Sequence, residues 1–203
     1  MITRIRNAAL AASSMVAMFA VIAPSAHAGL LSLAPGSCGQ QESQPFASYG
    51  DYNSYVLVPG GSFEAAAPGW ILKGGASVVS AGAGSAHSLS LPAGSSATSA
   101  PACTGLDHPS ARLFVRNTGS SSSRLNVYAT YSLLLGLPYT INLGQLSGSG
   151  TWQPSSPLEM GLLNNVVGSA TLSQSTITFT FVPADNIGKW QIDNVYLDPF
   201  RRM

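Results

Sequence analysis

Thr176-Ile177-Thr178-Phe179-Thr180-Phe181, closed by Val182-Pro183, is the stretch on which the fold turns. Successive side chains of an extended strand point to opposite faces, so Ile177, Phe179 and Phe181 share one side and three threonines the other. Strict alternation of this kind is the pattern of a strand half buried in a sheet, since a helix would repeat at 3.6 residues instead. Working upstream, Leu125, Val127, Ala129 and Tyr131 oppose Arg124, Asn126, Tyr128 and Thr130, and Leu113 and Val115 oppose Arg112, Phe114 and Arg116. Asn117-Thr118-Gly119 and the serines Ser120 to Ser123 separate these two runs, and predict a hairpin between them. Downstream, Lys189 to Leu197 alternates imperfectly: Asn194 shares a side with Ile192, and Asp193 with Val195. A polar pair inside a final strand predicts a bulge or a specific partner. Turn signals such as Pro59-Gly60-Gly61, Pro68-Gly69, Gly74-Gly75, Gly82-Ala83-Gly84 and Pro92-Ala93-Gly94 leave no window for a long amphipathic helix. The residues therefore read as all-β, a sandwich or a barrel.

The beginning of the chain has a different grammar. Met1-Ile2-Thr3-Arg4-Ile5-Arg6 is basic, the run from Ala8 to Ala23 is apolar, and Ala26-His27-Ala28 supplies small residues two apart. That order predicts a cleavable signal peptide over residues 1–28, whose apolar run is too short and alanine-rich for a membrane anchor. No second apolar span follows it, so the expectation is a secreted, extracellular chain without a membrane span after cleavage. The expected organisation is the leader, an N-terminal arm over residues 29–57, and one β domain over residues 58–203. Cys38 and Cys103 are the two cysteines of the chain. In an oxidising compartment they are expected to pair, tethering the arm, and a loop of that length is worth about 4 kcal/mol in the chain-entropy model. A lipid-modified Cys38 is disfavoured by Pro35-Gly36-Ser37 before it, and no His or Cys spacing suggests a metal or nucleophilic thiol.

Composition narrows the function classes. Nine Lys and Arg stand against eight Asp and Glu in 203 residues, a formal net charge of +1. Charges this sparse offer no basic stripe for counterion release, which argues against nucleic acid as a partner. A polar surface made of Ser, Thr, Asn, Gln and Gly suits neutral, hydroxyl-rich partners. No nucleophile elbow, phosphate loop, dinucleotide fingerprint or zinc spacing occurs, so no enzyme is expected; a serine triad would have to recruit His87 or His108.

Two carboxylates fall inside apparent structure: Glu64 in Gly61-Ser62-Phe63-Glu64 and Asp193 in Ile192-Asp193-Asn194-Val195. Buried carboxylates demand hydrogen bonds, an ionic partner or a cation. From the first and last strands, with backbone carbonyls, they would form an oxygen-only site suited to calcium; backbone amides or a Lys or Arg would satisfy them equally. Gly61-Ser62-Phe63-Glu64, then Pro68-Gly69-Trp70 and Gly74-Gly75-Ala76-Ser77-Val78, with Trp190-Gln191-Ile192-Asp193-Asn194-Val195-Tyr196-Leu197 at the end, resembles the opening and closing signature of galactose-binding-like jelly rolls. That signature is typical of carbohydrate-binding modules of families four, nine and twenty-two. The resemblance departs where Gly61 and Ser62 replace the usual Asn, and where a cysteine-bearing arm precedes the motif. The chain is also similar to a group of exported bacterial proteins from which no role carries over.

The resemblance implies a two-sheet antiparallel β-sandwich, a jelly roll, which the expected signal-peptide helix over residues 1–28 would precede. It implies a structural calcium held by Glu64 and Asp193, with no cofactor otherwise required. It implies a non-catalytic module binding polysaccharide or cell-envelope glycan, the alternative being a structural or protein-interaction domain of the envelope. Sugar-binding candidates are the outward residues Arg112, Phe114, Arg116, Asn126 and Tyr128, with Trp152 beside Gly148-Ser149-Gly150 as a loop-tip ring. The same outward set is also what cross-strand pairing on a solvated face would use. Trp70 and Trp190 read as core.

Overall fold

The computed structural model describes residues 41–104, 108–132, 137–161 and 175–198. The expected leader, Cys38 and the first part of the arm lie outside the described residues. In chain order the strands are β1 (Glu42–Ser43), β2 (Tyr55–Leu57), β3 (Ile71–Lys73), β4 (Ser77–Ser80), β5 (His87–Pro92), β6 (Ser96–Thr98), β7 (Ala102–Thr104), β8 (Ser110–Asn117), β9 (Leu125–Ser132), β10 (Pro138–Leu146), β11 (Gln153–Pro154), β12 (Leu158–Glu159), β13 (Ser175–Pro183) and β14 (Lys189–Asp198). They form two antiparallel sheets, as a β-sandwich requires. The first runs β1-β2-β14-β5-β4, with β8 on the other edge of β14 and β11 and β12 along β8. The second runs β10-β9-β13-β6-β3, with β7 also on β13. Among the described residues no helix is long and apolar enough to cross a membrane.

Alternation sorts the strands as the sequence predicts. Leu89, Leu91, Leu113, Val115, Trp190, Ile192, Val195 and Leu197 point inward from the first sheet. Ala97, Leu125, Val127, Ala129, Tyr131, Ile177, Phe179 and Phe181 meet them from the second. Burying each large apolar side chain is worth roughly 1.5–3 kcal/mol, so this shared interior is the main force holding the sheets together. Both tryptophans expected in the core are there. Trp190 is fully buried, its indole N–H donating to Ser123 Oγ at 3.1 Å. Trp70 stacks on Phe181 at 6.1 Å, meets Phe63 edge-on at 4.8 Å and donates to the Pro59 carbonyl at 2.9 Å.

One expectation is corrected. The runs 112–116 and 124–131 are not a hairpin: β8 lies in the first sheet beside β14, and β9 lies in the second between β10 and β13. The connection crosses from one sheet to the other because its hydrogen bonds go to the β13–β14 loop. Thr118 N–H donates to the Lys189 carbonyl at 2.9 Å, and Ser120 N–H to the Ile187 carbonyl at 3.3 Å. Gly119 is required at this crossing, since a Cβ there would stand 2.6 Å from the Ile187 carbonyl oxygen. Within the expected arm, Glu42–Ser43 and Tyr55–Leu57 form β1 and β2 of the first sheet.

Candidate functional site

The sandwich has two outer faces, and they differ chemically. On the second sheet, register places Asn142 opposite Tyr128, Tyr128 opposite Thr180, Thr180 opposite Thr98, and Thr98 opposite Ile71. This row crosses five strands, about 19 Å at the usual strand spacing of about 4.8 Å. Thr140, Thr130 and Thr178 form a neighbouring row, and Gln145, Asn126 and Val182 another. Side-chain hydrogen bonds tie the strands: Thr98 to Thr180 at 3.0 Å, Thr130 to Thr140 at 2.8 Å, and Gln145 Nε2 to Asn126 Oδ1 at 2.8 Å. These side chains are half-buried or exposed and carry no carboxylate; Lys73 ends β3 at the edge, and Arg124, just before β9, donates to the Ser121, Ser122 and Ser123 carbonyls. Neutral hydroxyls and amides both donate and accept, with Tyr128 as the ring in the central row.

The outer face of the first sheet is aromatic and largely covered. Phe46, at the start of the 3-10 turn Ala47–Tyr49, is fully buried against Tyr55 at 4.9 Å and Phe114 at 5.0 Å. Arg112 lies over the Phe46 ring at 4.6 Å, pairs with Asp51 and donates Nε–H to the Ser155 carbonyl at 2.8 Å. The Tyr55 hydroxyl donates to Asp51 Oδ2 at 2.6 Å. Burial opposes ionisation of Asp51, but Tyr55, the Asn53 N–H and the Arg112 guanidinium outweigh it and hold its carboxyl below the ordinary value. Burial, then the Asp51 hydrogen bond, pushes the Tyr55 hydroxyl up to about 12. At the margin of the cover, Arg116 lies over the Trp152 ring at 4.8 Å and donates Nε–H to Gln191 Oε1.

The sugar-binding candidates are therefore divided between opposite sides of the molecule. Asn126 and Tyr128 stand on the open second face, whereas Arg112, Phe114, Arg116 and Trp152 stand on the first. Phe114 is only 7% exposed and Arg112 is engaged by Asp51, so the cover consumes both. Alternation alone missed this, because it gives the side of a strand and not the sheet to which the strand belongs. Thr178 and Thr180 were legible as outward, whereas no alternating run marked Thr98 or Thr140, and nothing marked the four as one surface.

Glu64 and Asp193 converge on one loop, residues 81–87. Glu64 accepts from the His87 N–H at 2.8 Å and lies 3.2 Å from its Nδ1. Those His87 bonds hold the Glu64 carboxyl below its ordinary value. Asp193, fully buried, accepts from Ala83 N–H at 2.7 Å, Ser85 Oγ–H at 2.5 Å and its neighbour Asn194 N–H at 2.8 Å. Burial raises its carboxyl, against those three bonds, and the Glu64 charge adds to the rise. Both alternatives for the imperfect final strand hold together: the register shifts between Asp193 and Tyr196, Asn194 takes φ +49°, and Asp193 has specific partners. Among the described residues neither carboxylate pairs with Lys or Arg, and no three His, Cys, Asp or Glu side chains gather as a metal cluster. Cys103 lies on β7 opposite Thr176, while its expected partner Cys38 is outside the described residues.

Solved structures share this architecture. The CBM22-1 and GH10 modules of the Clostridium thermocellum endo-1,4-β-D-xylanase 10B, complexed with xylohexaose, superpose at a TM-score of 0.51 and 14% identity, over 68% of this chain and 27% of that one. The likeness is one of fold: an all-β, two-sheet sandwich like that seen in these modules. This chain spans about a quarter of that protein's length. The CBM22-1 xylan-binding domain of Paenibacillus barcinonensis Xyn10C matches at 0.48 and 12% identity, over 70% and 93%. The module TmCBM61, in complex with β-1,4-galactotriose, matches at 0.40 and 13% identity, over 70% and 97%. No protein-family model and no curated protein matches the chain.

Proposed function

We propose that this protein is a secreted, non-catalytic module that binds a neutral polysaccharide along the outer face of the second sheet. The observation that carries the reading is the row Asn142, Tyr128, Thr180, Thr98 and Ile71, an uncharged track of amide and hydroxyl side chains with a phenol ring on the second of its five strands and an exposed isoleucine at its far end. Sugar hydroxyls donate and accept in equal measure, as do Asn, Gln and Thr side chains, and the apolar face of a pyranose stacks on a ring. The shared fold supports the reading, and the ligand is a polysaccharide or a cell-envelope glycan. Affinity electrophoresis in gels containing xylan, β-1,4-galactan or β-glucan tests it. Retardation by at least one of these, lost in Tyr128→Ala at unchanged melting temperature, is expected; free migration of the folded protein in every gel removes the proposal.

A structural calcium belongs to the same proposal. Glu64 and Asp193 would supply its side-chain oxygens, and the fit rests on two carboxylates facing one loop, with His87 beside Glu64 and no Lys or Arg paired to either among the described residues. The ion would supply the missing positive charge, with backbone carbonyls completing the about six to eight oxygens that calcium takes. A ligand held only by the folded state must stabilise it. Calcium is expected to raise the melting temperature over chelator-treated protein, and an identical melt in both removes the ion.

A further inference from the structure

The margin of the aromatic cover holds a group of side chains that the neutral face does not explain. Arg116 on β8 stands opposite Gln191 on β14, Gln191 opposite Ser90 on β5, and Ser90 opposite Ser77 on β4. Trp152 lies beside Arg116 at the near end of this row, and Lys189, exposed, stands two residues from Gln191 on the same side of β14. Arg116 Nε–H is committed to Gln191 Oε1, which fixes the guanidinium plane over Trp152. Among the described residues its Nη groups take no protein acceptor, and Arg116 and Lys189 form no ion pair.

Donor and acceptor accounting then points to a ligand type. Gln191 gives one of the two acceptor sites of its oxygen to Arg116 and keeps its NH₂; Arg116 keeps Nη N–H groups; Lys189 has three N–H groups and no acceptor. The free capacity at this end of the row is thus predominantly donor and carries two positive charges. A neutral hydroxyl, which must donate as well as accept, is poorly served there, whereas a carboxylate accepts only and matches the planar guanidinium in two-pronged geometry. Further along, Ser90 and Ser77 offer hydroxyls that both donate and accept, the right partners for sugar hydroxyls next to a carboxylate. We infer that this row is a second binding site, on the opposite side of the sandwich from the neutral face, for a uronate-bearing polysaccharide whose carboxylate sits on Arg116 with Lys189 beside it.

The test uses the full chain with polygalacturonate, its methyl-esterified form and dextran sulfate as three gel additives, with β-1,4-galactan run in parallel to read the other face. Retardation by polygalacturonate, weakened by about ten-fold in Arg116→Gln, as loss of one charge-assisted contact implies, and absent with the esterified polymer, is the expected result. Lys189→Gln, at an exposed position, gives a second reading should Arg116→Gln fold poorly, and is expected to weaken retention in the same direction. Trp152→Phe, which loosens the guanidinium but keeps every charge, separates a built site from general attraction to polyanions: it should weaken polygalacturonate retention and leave any dextran sulfate retention unchanged. Free migration of folded protein in polygalacturonate, equal retention by the esterified form, or retention indifferent to all three substitutions overturns the inference, whatever the galactan gel shows.

Discussion

The two outer faces begin from the same alternating pattern and end as opposites. On the second sheet the outward threonines, Asn126 and Tyr128 stay half-exposed or exposed, and among the described residues the Thr98–Thr180, Thr130–Thr140 and Gln145–Asn126 bonds tie neighbouring strands. On the first, the chain's own residues 44–55 lie down over Phe114, with Phe46 filling the space between Tyr55, Phe114 and Tyr196. The difference teaches that an outward side chain is no guide to an available one. A sheet face rich in rings and arginine is sticky enough to recruit a neighbouring segment, whereas a hydroxyl face gains little from being covered. What remains open on the first side is the margin, where Tyr49 is 54% exposed, Tyr52 is 69% exposed, and Arg116 rests on Trp152.

Removing the plug is the largest way to break that contrast. Phe46→Ala should cost about 3–5 kcal/mol, the usual loss for a fully buried phenylalanine, because the cavity lies between a strand and a segment that cannot both close on it. Tyr128→Ala, a half-buried residue on the other face, should cost under about 1 kcal/mol. Urea unfolding of the two variants reads both numbers; equal losses would mean that the cover is not a working part of the fold.

The sequence made much of this legible and one feature unreadable. Leu113, Val115, Leu125, Val127, Ile177, Phe179 and Phe181 were assigned inward by period alone, and all are buried, because a two-residue repeat reports burial directly. The polar pair in the last strand announced a bulge or a specific partner, and both are there. Sheet membership was not legible: a turn of Asn, Thr, Gly and Ser serves a hairpin and a crossover equally, and the choice was made by backbone bonds to residues 187–189, some seventy positions away. The candidate site suffered accordingly, as Arg112 and Tyr128 were read as neighbours across two strands that the crossover places in different sheets.

Alkaline pH probes the covered face at a smaller scale. The Tyr55 hydroxyl titrates at about 12 in the folded protein against an ordinary 10, so the folded state resists losing that proton. Its contribution to stability is complete below pH 10 and disappears as pH rises through 12, by linkage. Tyr131, buried in the core and also pushed up to about 12, adds to the same decline. Tyr55→Phe should flatten the fall in melting temperature between pH 10 and 12 relative to the unaltered protein. A slope indifferent to Tyr55→Phe would show that the hydroxyl is not held in the folded state.

The smallest expected effect concerns the ion pair that fastens residues 44–55 to β8. The Arg112 and Asp51 side chains are 15% and 18% exposed, between a surface pair worth under about 1 kcal/mol and a buried one whose disruption costs about 3–5 kcal/mol. Asp51→Asn keeps the shape, leaves an amide oxygen for the Tyr55 hydroxyl and removes the charge, so about 1–2 kcal/mol should be lost at neutral pH. Because the Asp51 carboxyl is held below its ordinary 3.8 in the folded protein, its contribution is complete above that value and fades as pH drops through the lower folded one. The variant and the unaltered protein should therefore converge in melting temperature on acidification below about pH 4, having differed at pH 7. A gap that stays constant from pH 7 to pH 2 would assign the loss to packing around the amide and take the charge out of the fastening.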